Sequence, residues 1–502
     1  MNDSAAAEPL VTVRALPWRN FGLSLLSKLG ALAAHVVFVM ATARLFSKEE
    51  VAVVAMAGIL SIVLDVCKGF GLGTLLLKRL PQYPDAESEE ARSLVFTYLF
   101  YSTFPALVIG CALLCIPRPL VWLGLDASGS LGWSFQWGLL ASVFIVLSNT
   151  NTLVLQASER FGELAALNLW TAALQRLAPC LAALWFGFGL EPFLLASALS
   201  SAAGFVLTCL PLIGWLPLGQ GRTRILRFDE FWPESRHFYT SSLLRFGAMQ
   251  VDQLAVAALF PPATLAVYFM LRRLYSIVAV LVGSMIDALM PELSRQAATD
   301  LPGARRRLAE WFRLFMAAGT VGAALIAGNG PIGIGLMLGP GYAGDATLIG
   351  LFAAATSLYF VYCFVQVDLM LFQEPGRVMW MTAATAAANL ILGPAAAPWL
   401  GVSSIPLAML LGYLMGLAAA SWHARSGALP RPVWRLRDLT GGLTVVALAS
   451  LAPGLIRHLV PGDFLRLAGV NLIIAVLTSI YLWQSRAVET LRRLRPSPVE
   501  AA

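Results

Sequence analysis

Residues 301–337 read LPGARRRLAEWFRLFMAAGTVGAALIAGNGPIGIGLM. Three consecutive arginines and Arg313 precede an apolar stretch that carries no charge between residues 314 and 337. About 20 apolar residues in a helix are enough to cross the hydrocarbon core of a bilayer. Basic residues gather on the cytoplasmic side of such helices. The stretch therefore predicts a membrane-spanning helix that begins at a cytoplasmic loop.

The same pattern recurs along the 502-residue chain. We predict fourteen spans, at residues 20–43, 51–72, 93–116, 133–156, 164–187, 191–213, 238–260, 263–288, 312–337, 346–372, 377–397, 402–423, 439–459 and 465–484. Of the 35 Lys and Arg residues, 25 fall in one set of alternate loops or in the parts of the spans next to them, and 5 fall in or next to the other set. Because cytoplasmic loops carry this excess, we predict a multi-pass protein of the cytoplasmic (inner) membrane with both termini in the cytoplasm.

Composition predicts an all-α membrane bundle. The mean hydropathy is +0.74 and only 13% of residues are charged, against roughly 25% in soluble domains. A backbone in lipid must satisfy its own hydrogen bonds, which favours helices. The net charge of +7 comes mostly from the predicted inner loops, so it indicates contact with membrane lipids and argues against nucleic-acid binding. The six cysteines lie in or beside apolar segments, which does not favour a disulfide framework.

The longest basic loops suggest a division into two lobes of six helices. We predict, in chain order, a cytoplasmic tail at 1–19, a first lobe at 20–213, a basic linker at 214–237, a second lobe at 238–423, helices 13 and 14 at 424–484, and a basic tail at 485–502. A weak repeat supports the two lobes, since residues 44–46 (RLF) align without gaps with residues 258–260 (ALF). Repeated halves are typical of transporters, which bind substrate between them.

Four stretches carry a resemblance to a known family. They are ARLFSKEE at 43–50, GFGLGT at 69–74, Asp252 followed by AVY at 266–268, and LGPGYAG at 338–344. Their order and spacing resemble those of the polysaccharide transporters (O-antigen and exopolysaccharide flippases) of the multidrug/oligosaccharidyl-lipid/polysaccharide exporter superfamily. The chain departs from the family pattern in having Ala266 in place of a common Gly, and Pro261-Pro262 in place of a Gly-Pro turn.

The resemblance implies a flippase for oligosaccharides carried on polyprenyl pyrophosphate, acting in the synthesis of surface polysaccharides such as lipopolysaccharide or exopolysaccharide. The implied partners are this lipid-linked oligosaccharide, membrane lipids and polysaccharide polymerase or assembly proteins. No cofactor or metal site is indicated by the sequence, because the four histidines are scattered and neither a P-loop nor a Gly-x-Ser-x-Gly motif is present. We therefore predict that the protein is not an enzyme.

Charged residues inside the spans are the candidates for a substrate cavity. Each costs about 2.5–3.5 kcal/mol at a helix centre on insertion scales, and such residues usually face a bundle interior. Arg245 and Asp252 are seven residues apart, so they should share a helix face. Arg272 shares a face with Tyr268 and is expected to point inward. Guanidinium binds phosphate bidentately. The predicted cavity residues are Lys28, Lys68, Arg176, Arg245, Asp252, Tyr268 and Arg272.

Other roles stay open for these residues. Lys68 can pair with Asp65 three positions away, Lys28 can reach the inner headgroups, and the buried arginines can pair structurally with Asp252 or a backbone carbonyl. Asp252 and Asp368 are candidates for coupling to a proton or sodium ion. An anionic headgroup leaving a negative cytoplasm also moves down the membrane potential. The expected mechanism is alternating access between the two lobes.

Three other functions compete with the flippase. A multidrug cation antiporter of the same superfamily would have about twelve helices and an acidic cavity, whereas the charges inside these spans lean basic. A membrane polysaccharide polymerase or ligase would need a long outer loop, and the predicted outer loops are short. A membrane scaffold that binds a partner protein is the third alternative.

Overall fold

The computed structural model describes residues 18–80, 83, 88–115, 130–158, 160–187, 189–215, 224–276, 293, 296–297, 300–342, 346–372, 375–425, 436–459 and 463–484. Within these ranges the ordered elements are helices, and no strand occurs. The helical bundle predicted from composition is confirmed.

In chain order, the helices are α1 Trp18–Leu45, α2 Lys48–Cys67, α3 Leu72–Arg79, α4 Glu89–Cys115, α5 Ser130–Ala157, α6 Phe161–Trp185, α7 Leu190–Cys209, α8 Phe228–Met249, α9 Val251–Leu259, α10 262–276, α11 Leu301–Leu338, α12 Ala346–Phe372, α13 Pro375–Leu400, α14 Ser404–Arg425, α15 Leu436–Leu459 and α16 Asp463–Gln484. Short 3₁₀ turns lie at Gly69–Gly71, Leu210–Trp215, Pro340–Tyr342 and Gly401–Ser403. Each of the fourteen predicted spans overlaps a helix in the described part of the chain.

Length and hydropathy agree with a multi-pass membrane protein. In the described residues, seven helical stretches are long and apolar enough to cross a membrane. One of them, Gly376–Ser421, covers two predicted spans. Three shorter helices, Leu29–Leu45, Thr440–Pro453 and Ala468–Leu482, are also apolar. The fold is therefore that of a polytopic helical membrane protein, as predicted.

Two helices begin well before the apolar segments that marked them. α11 starts at Leu301, so the second half of the predicted loop 289–311 is helical, and the loop prediction is wrong there. The Asp300 side chain caps this helix by accepting a hydrogen bond from the Gly303 amide at 2.9 Å. α8 starts at Phe228 with two acidic residues in its first turn, which favours a helix N-terminus. Hydropathy does not mark such polar extensions, because only the apolar part of a helix raises it.

The second and seventh predicted spans are each broken into two helices. Between α2 and α3, Gly69, Phe70 and Gly71 have φ angles of 74°, 46° and 79°, a left-handed conformation that a phenylalanine rarely adopts. A Cβ at Gly71 would clash with the backbone of α8 at Ser235 and Tyr239. Glycine at this position therefore allows the first break to contact α8. Between α8 and α9 the chain turns at Gln250, which has φ −133° and ψ −16°.

The helices pack mainly with partners from the same half of the chain. α5 packs on α2, α4 and α7, and α1 packs on α6, while α13 packs on α8 and α14. α15 and α16 pack against α11. Helices from the first half meet the second half where α1 contacts α11 and where α2 and α3 contact α8. The exact boundaries of the two lobes stay a prediction.

Candidate functional site

A cavity of about 400 Å³ lies at the two helix breaks. We call it the polar cavity. Its polar lining residues come from both halves of the chain: Asp65, Lys68, Thr74, Tyr98, Ser102, Asn149, Tyr239, Ser242, Arg245 and Gln250. Its volume lies within the range of about 300–1,000 Å³ that is common for ligand pockets. By their positions along the predicted spans, these residues lie in the half of the membrane nearer the predicted cytoplasmic side.

Lys68 lines the polar cavity but is fully engaged by the protein. Its Nζ lies 2.7 Å from Asp65 Oδ1 and donates to the Val146 carbonyl at 2.8 Å and to Thr150 Oγ1 at 3.0 Å. An ammonium group has three donors, and all three are used here. The predicted pairing of Asp65 with Lys68 is confirmed, and Lys68 therefore adds little free positive charge to the cavity.

Arg245 is the cation in this cavity that a ligand can reach. Its side chain is exposed to the cavity and forms no ion pair with another described residue. Gln250 at the break and Asn149 on α5 place amide groups in the same lining. The arrangement offers one guanidinium for an anion, several amides and hydroxyls for sugar groups, and the Asp65 carboxylate, whose charge Lys68 balances. Its role in binding stays a prediction.

Asp252 lies apart from Arg245, contrary to the shared face that their spacing predicted. The break at Gln250 separates α8 from α9, so the spacing of seven residues no longer places the two side chains on one wall. Asp252 is 3% exposed. Its Oδ2 accepts hydrogen bonds from Tyr268 Oη at 2.7 Å and from Arg272 Nε at 2.8 Å. Asp252, Tyr268 and Arg272 thus form a buried cluster in the second half of the chain.

Arg272 is held within this cluster and does not line the polar cavity. Its Nη2 donates to the Met249 carbonyl, and its guanidinium lies 4.6 Å from the centre of the Tyr275 ring. The hydroxyl of Tyr275 is hydrogen-bonded to that of Tyr413 at 3.1 Å. The structural pairing of Arg272 with Asp252 is observed, and a role of Arg272 in substrate binding stays a prediction. Any cation that bound at Asp252 would meet this guanidinium.

A second group of basic side chains lies between the two halves, formed by His35 on α1, Arg176 on α6 and Arg273 on α10. We call it the basic cluster. The Arg176 guanidinium lies 5.3 Å from the centre of the Phe38 ring, and that of Arg273 lies 4.7 Å from the Phe269 ring. The three side chains are close enough to influence one another electrostatically. A Cβ at Gly58 on α2 would lie 3.0 Å from Arg273 Nη2, so α2 approaches closely.

The basic cluster contains no carboxylate among the residues that the structure describes. Arg273 Nε and His35 Nε2 are buried without a hydrogen-bond partner there, and no described acid pairs with either arginine. Two guanidinium groups repel each other strongly in a medium of low dielectric constant. Buried charges normally have a counter-charge, so this arrangement favours the binding of an anion. The sequence predicts a cavity role for Arg176 but does not single out His35 or Arg273.

The remaining predicted residues lie elsewhere. Lys28 is in α1, but its side chain is outside the described residues. Asp368 is 5% exposed, and its Oδ1 lies 3.8 Å from Arg305 Nη2. It is thus near the predicted cytoplasmic end of α12, away from the polar cavity lining. Its coupling role stays a prediction.

Residues 41–317 match the model of a family described as polysaccharide biosynthesis protein. The match covers more than half of the chain. The protein belongs to this family. The family predicted from the sequence is thereby confirmed, and three of the four stretches that carry the resemblance lie within the matched residues. Among curated protein sequences, none matches this one.

Solved structures with the same fold are transporters. The chain is similar to the lipid II flippase MurJ in an inward closed conformation, with a TM-score of 0.67, 15% identity, and coverage of 92% of this chain and 99% of MurJ. It is similar to an inward-facing multidrug resistance MATE transporter of the MOP superfamily, with a TM-score of 0.61, 14% identity, and coverage of 81% and 98%. A Vibrio cholerae MATE transporter gives a TM-score of 0.57 at 14% identity, with coverage of 82% and 97%. Identities this low establish the fold alone.

Proposed function

We propose that the protein is a flippase that carries polyprenyl-pyrophosphate-linked oligosaccharide units across the cytoplasmic membrane for the synthesis of surface polysaccharide. The observation that carries the proposal is the basic cluster, in which two arginines and a histidine lie between the two halves without an acidic partner among the described residues. Guanidinium groups bind phosphate oxygens bidentately and stay charged. A pyrophosphate would supply the counter-charge that the cluster lacks.

The polar cavity supports the same proposal. Arg245 would attract the pyrophosphate from the cytoplasm, and Asn149 and Gln250 would meet sugar hydroxyls. On α2, Asp65 lines the polar cavity and Gly58 lies next to Arg273 of the basic cluster. The two residues are seven positions apart, so the basic cluster lies roughly 10 Å further along the helix, towards the predicted outer side. The headgroup would move from the polar cavity to the basic cluster. Export would follow the membrane potential, worth about 2.3 kcal/mol per charge per 100 mV.

Contacts between the two halves support alternating access. On the predicted outer side, Arg44 at the end of α1 donates from Nε to the Met337 carbonyl at 3.0 Å, and from Nη2 to the Leu336 carbonyl. On the predicted cytoplasmic side, Lys78 Nζ lies 3.6 Å from Glu234 Oε1 on α8, and Arg79 also pairs with Glu234. Opening on either side would require one of these contacts to separate.

The alternative of a cation antiporter is less well supported. Its cavity would need an accessible carboxylate for a cationic drug. Asp252 is nearly fully buried and paired with Arg272. Asp65 lines the polar cavity and its side chain is 47% exposed, but its charge is neutralised by the ion pair with Lys68. Arg245 would repel a cation in the polar cavity.

The test is a flipping assay in sealed vesicles that contain a lipid-linked oligosaccharide. Wild type is compared with Arg245→Ala, Arg176→Ala and Arg273→Ala at matched protein levels. Arg227→Ala is the control, because Arg227 is exposed and its nearest carboxylate, Asp229, is 3.5 Å away at the surface. We expect flipping to fall at least about tenfold in the three variants, since each removes a charge-assisted hydrogen bond worth more than about 1.4 kcal/mol. Wild-type rates in all three would reject the proposal.

A further inference from the structure

A second cavity, of about 380 Å³, lies among α10, α11 and α12. We call it the apolar cavity. Most of its lining is aliphatic or aromatic: Leu271, Leu274, Tyr275, Leu325, Ile326, Gly330, Gly333, Ile334, Met337, Ile349 and Phe352, with Asn329 and Thr356 as the polar residues. All three helices overlap predicted membrane spans. The cavity therefore lies within the bilayer.

Most polar groups around the apolar cavity are hydrogen-bonded within the protein. The Tyr275 hydroxyl is bonded to Tyr413 at 3.1 Å, and Thr356 Oγ1 donates to the Phe352 carbonyl at 2.8 Å. Asn329 Nδ2 donates to Asn471 Oδ1 at 2.8 Å, which leaves its own Oδ1 without a described partner. A water molecule needs two to four polar partners, and these residues do not provide them. The cavity suits an apolar chain.

Glycine at position 333 keeps the apolar cavity open. A Cβ at Gly333 would meet no atom within 4 Å, whereas one at Gly330 would clash with Ile349. Leu325, which lines the cavity, is 42% exposed, and Leu336, eleven residues further on the same helix and therefore on the same face, is 67% exposed. The cavity therefore reaches the lipid-facing surface, where a chain can enter from the bilayer.

The apolar cavity and the basic cluster share one helix. α10 places Leu271 and Leu274 in the apolar cavity, while Arg273 between them belongs to the basic cluster. A helix with its side chains is about 10–12 Å across, a distance that a few isoprene units cover. This places an anion site and an apolar chain site within reach of one amphiphilic molecule.

We propose that the apolar cavity binds the isoprenyl tail of the substrate while its pyrophosphate occupies the basic cluster. This inference rests on the proposed function. It assigns a separate part of the protein to the lipid portion of the substrate. An anionic phospholipid also joins a phosphate to apolar chains, but its phosphodiester carries one negative charge, whereas a sugar-linked pyrophosphate carries two and can satisfy both arginines of the basic cluster. We therefore assign the site to the isoprenyl tail.

The test measures binding of inorganic pyrophosphate and of geranyl diphosphate to the full-length protein in nanodiscs by calorimetry. Each buried methylene strengthens binding roughly fourfold, so wild type should bind geranyl diphosphate at least about tenfold more tightly than inorganic pyrophosphate. Gly333→Leu fills the cavity and should abolish this difference while leaving the affinity for inorganic pyrophosphate unchanged. Gly322→Leu is the matched control, because Gly322 lies on the same helix with open space around it and does not line the cavity.

The outcomes separate this inference from the proposed function. If Gly333→Leu preferred geranyl diphosphate over inorganic pyrophosphate as strongly as wild type does, the assignment of the apolar cavity to the isoprenyl tail would be overturned. Displacement of geranyl diphosphate by short-chain phosphatidylglycerol, with no loss of inorganic pyrophosphate binding, would assign the cavity to phospholipid and also overturn it. Absence of inorganic pyrophosphate binding in wild type, or its persistence in Arg273→Gln, would instead reject the headgroup site on which the proposed function depends.

Discussion

Substitutions at the ion pair between Arg272 and Asp252 can test whether these two residues stabilise the fold or take part in transport. Both side chains are nearly fully buried, at 7% and 2% exposure, and their N–O distance is 2.8 Å. Removing one partner of such a pair costs about 3–5 kcal/mol, because the other charge stays buried and unpaired. We therefore expect Arg272→Met to lower the free energy of unfolding by about this amount.

The double variant Asp252→Asn/Arg272→Met should recover most of the loss. Both charges are then absent, and the asparagine oxygen can still accept the hydrogen bond that Tyr268 donates at 2.7 Å. The Met249 carbonyl loses its donor, so a residual cost of about 1–3 kcal/mol remains. The measurement is the midpoint of detergent-induced unfolding of the purified protein, followed by tryptophan fluorescence. The flipping rate of the double variant is measured in parallel.

Two results would refute this reasoning. If Arg272→Met were as stable as wild type, or if the double variant were no more stable than the single one, the pair would not stabilise the fold. If the double variant were stable but failed to flip its substrate, Arg272 and Asp252 would act in transport, as the sequence predicts for them.

Three further predictions concern the polar cavity and the first helix break. Gly71→Val should destabilise the protein by more than about 1–3 kcal/mol in the same unfolding assay, because it combines a left-handed backbone with a clash against α8. Glu234→Lys should lower the flipping rate, because it disrupts the ion pair with Arg79 on the predicted cytoplasmic side. Adding Arg79→Glu to the same chain should restore the ion pair with reversed charges, and with it the flipping rate. Lys68→Met should reduce stability, since it removes three polar contacts, whereas Arg245→Met should change stability by less than about 0.5 kcal/mol and still reduce flipping.

A different result would contradict each of these three predictions. A stable Gly71→Val protein would mean that α2 and α8 separate without cost. Failure of the charge swap to restore flipping would show that the contact with Glu234 is incidental to transport. Equal stability losses for Lys68→Met and Arg245→Met would show that Arg245 has a structural partner.

The sequence predicts local features of this fold better than its cavities. The apolar spans and the asymmetry of basic residues depend on neighbouring residues alone, and helices are found where they are expected. The pairing of Asp65 with Lys68 is likewise local, since three residues separate them on one helix. The Gly-Phe-Gly stretch at the first break is also visible, because glycines mark unusual backbone conformations.

The second break and the basic cluster could not be predicted in the same way. Gln250 has no glycine or proline beside it to mark a turn, so the pattern from Arg245 to Asp252 predicts one continuous helix. His35, Arg176 and Arg273 are far apart in sequence and meet only because α1, α6 and α10 pack together. Helical periodicity on α10 could not decide which of the adjacent residues Arg272 and Arg273 would pair with Asp252 and which would join the basic cluster.

Two of the contacts that join the halves, at Glu234 and at Arg44, differ in the kind of acceptor they use. Glu234 is a side chain that pairs with Lys78 and Arg79 near the surface, so dissolved salt screens the contact and a single substitution of Glu234 removes it. Arg44 instead binds main-chain carbonyls at the end of α11, and every residue type supplies such a carbonyl. Ionic strength should therefore weaken the contact at Glu234 more than the contact at Arg44, and substitutions at residues 336 and 337 should leave the Arg44 contact in place.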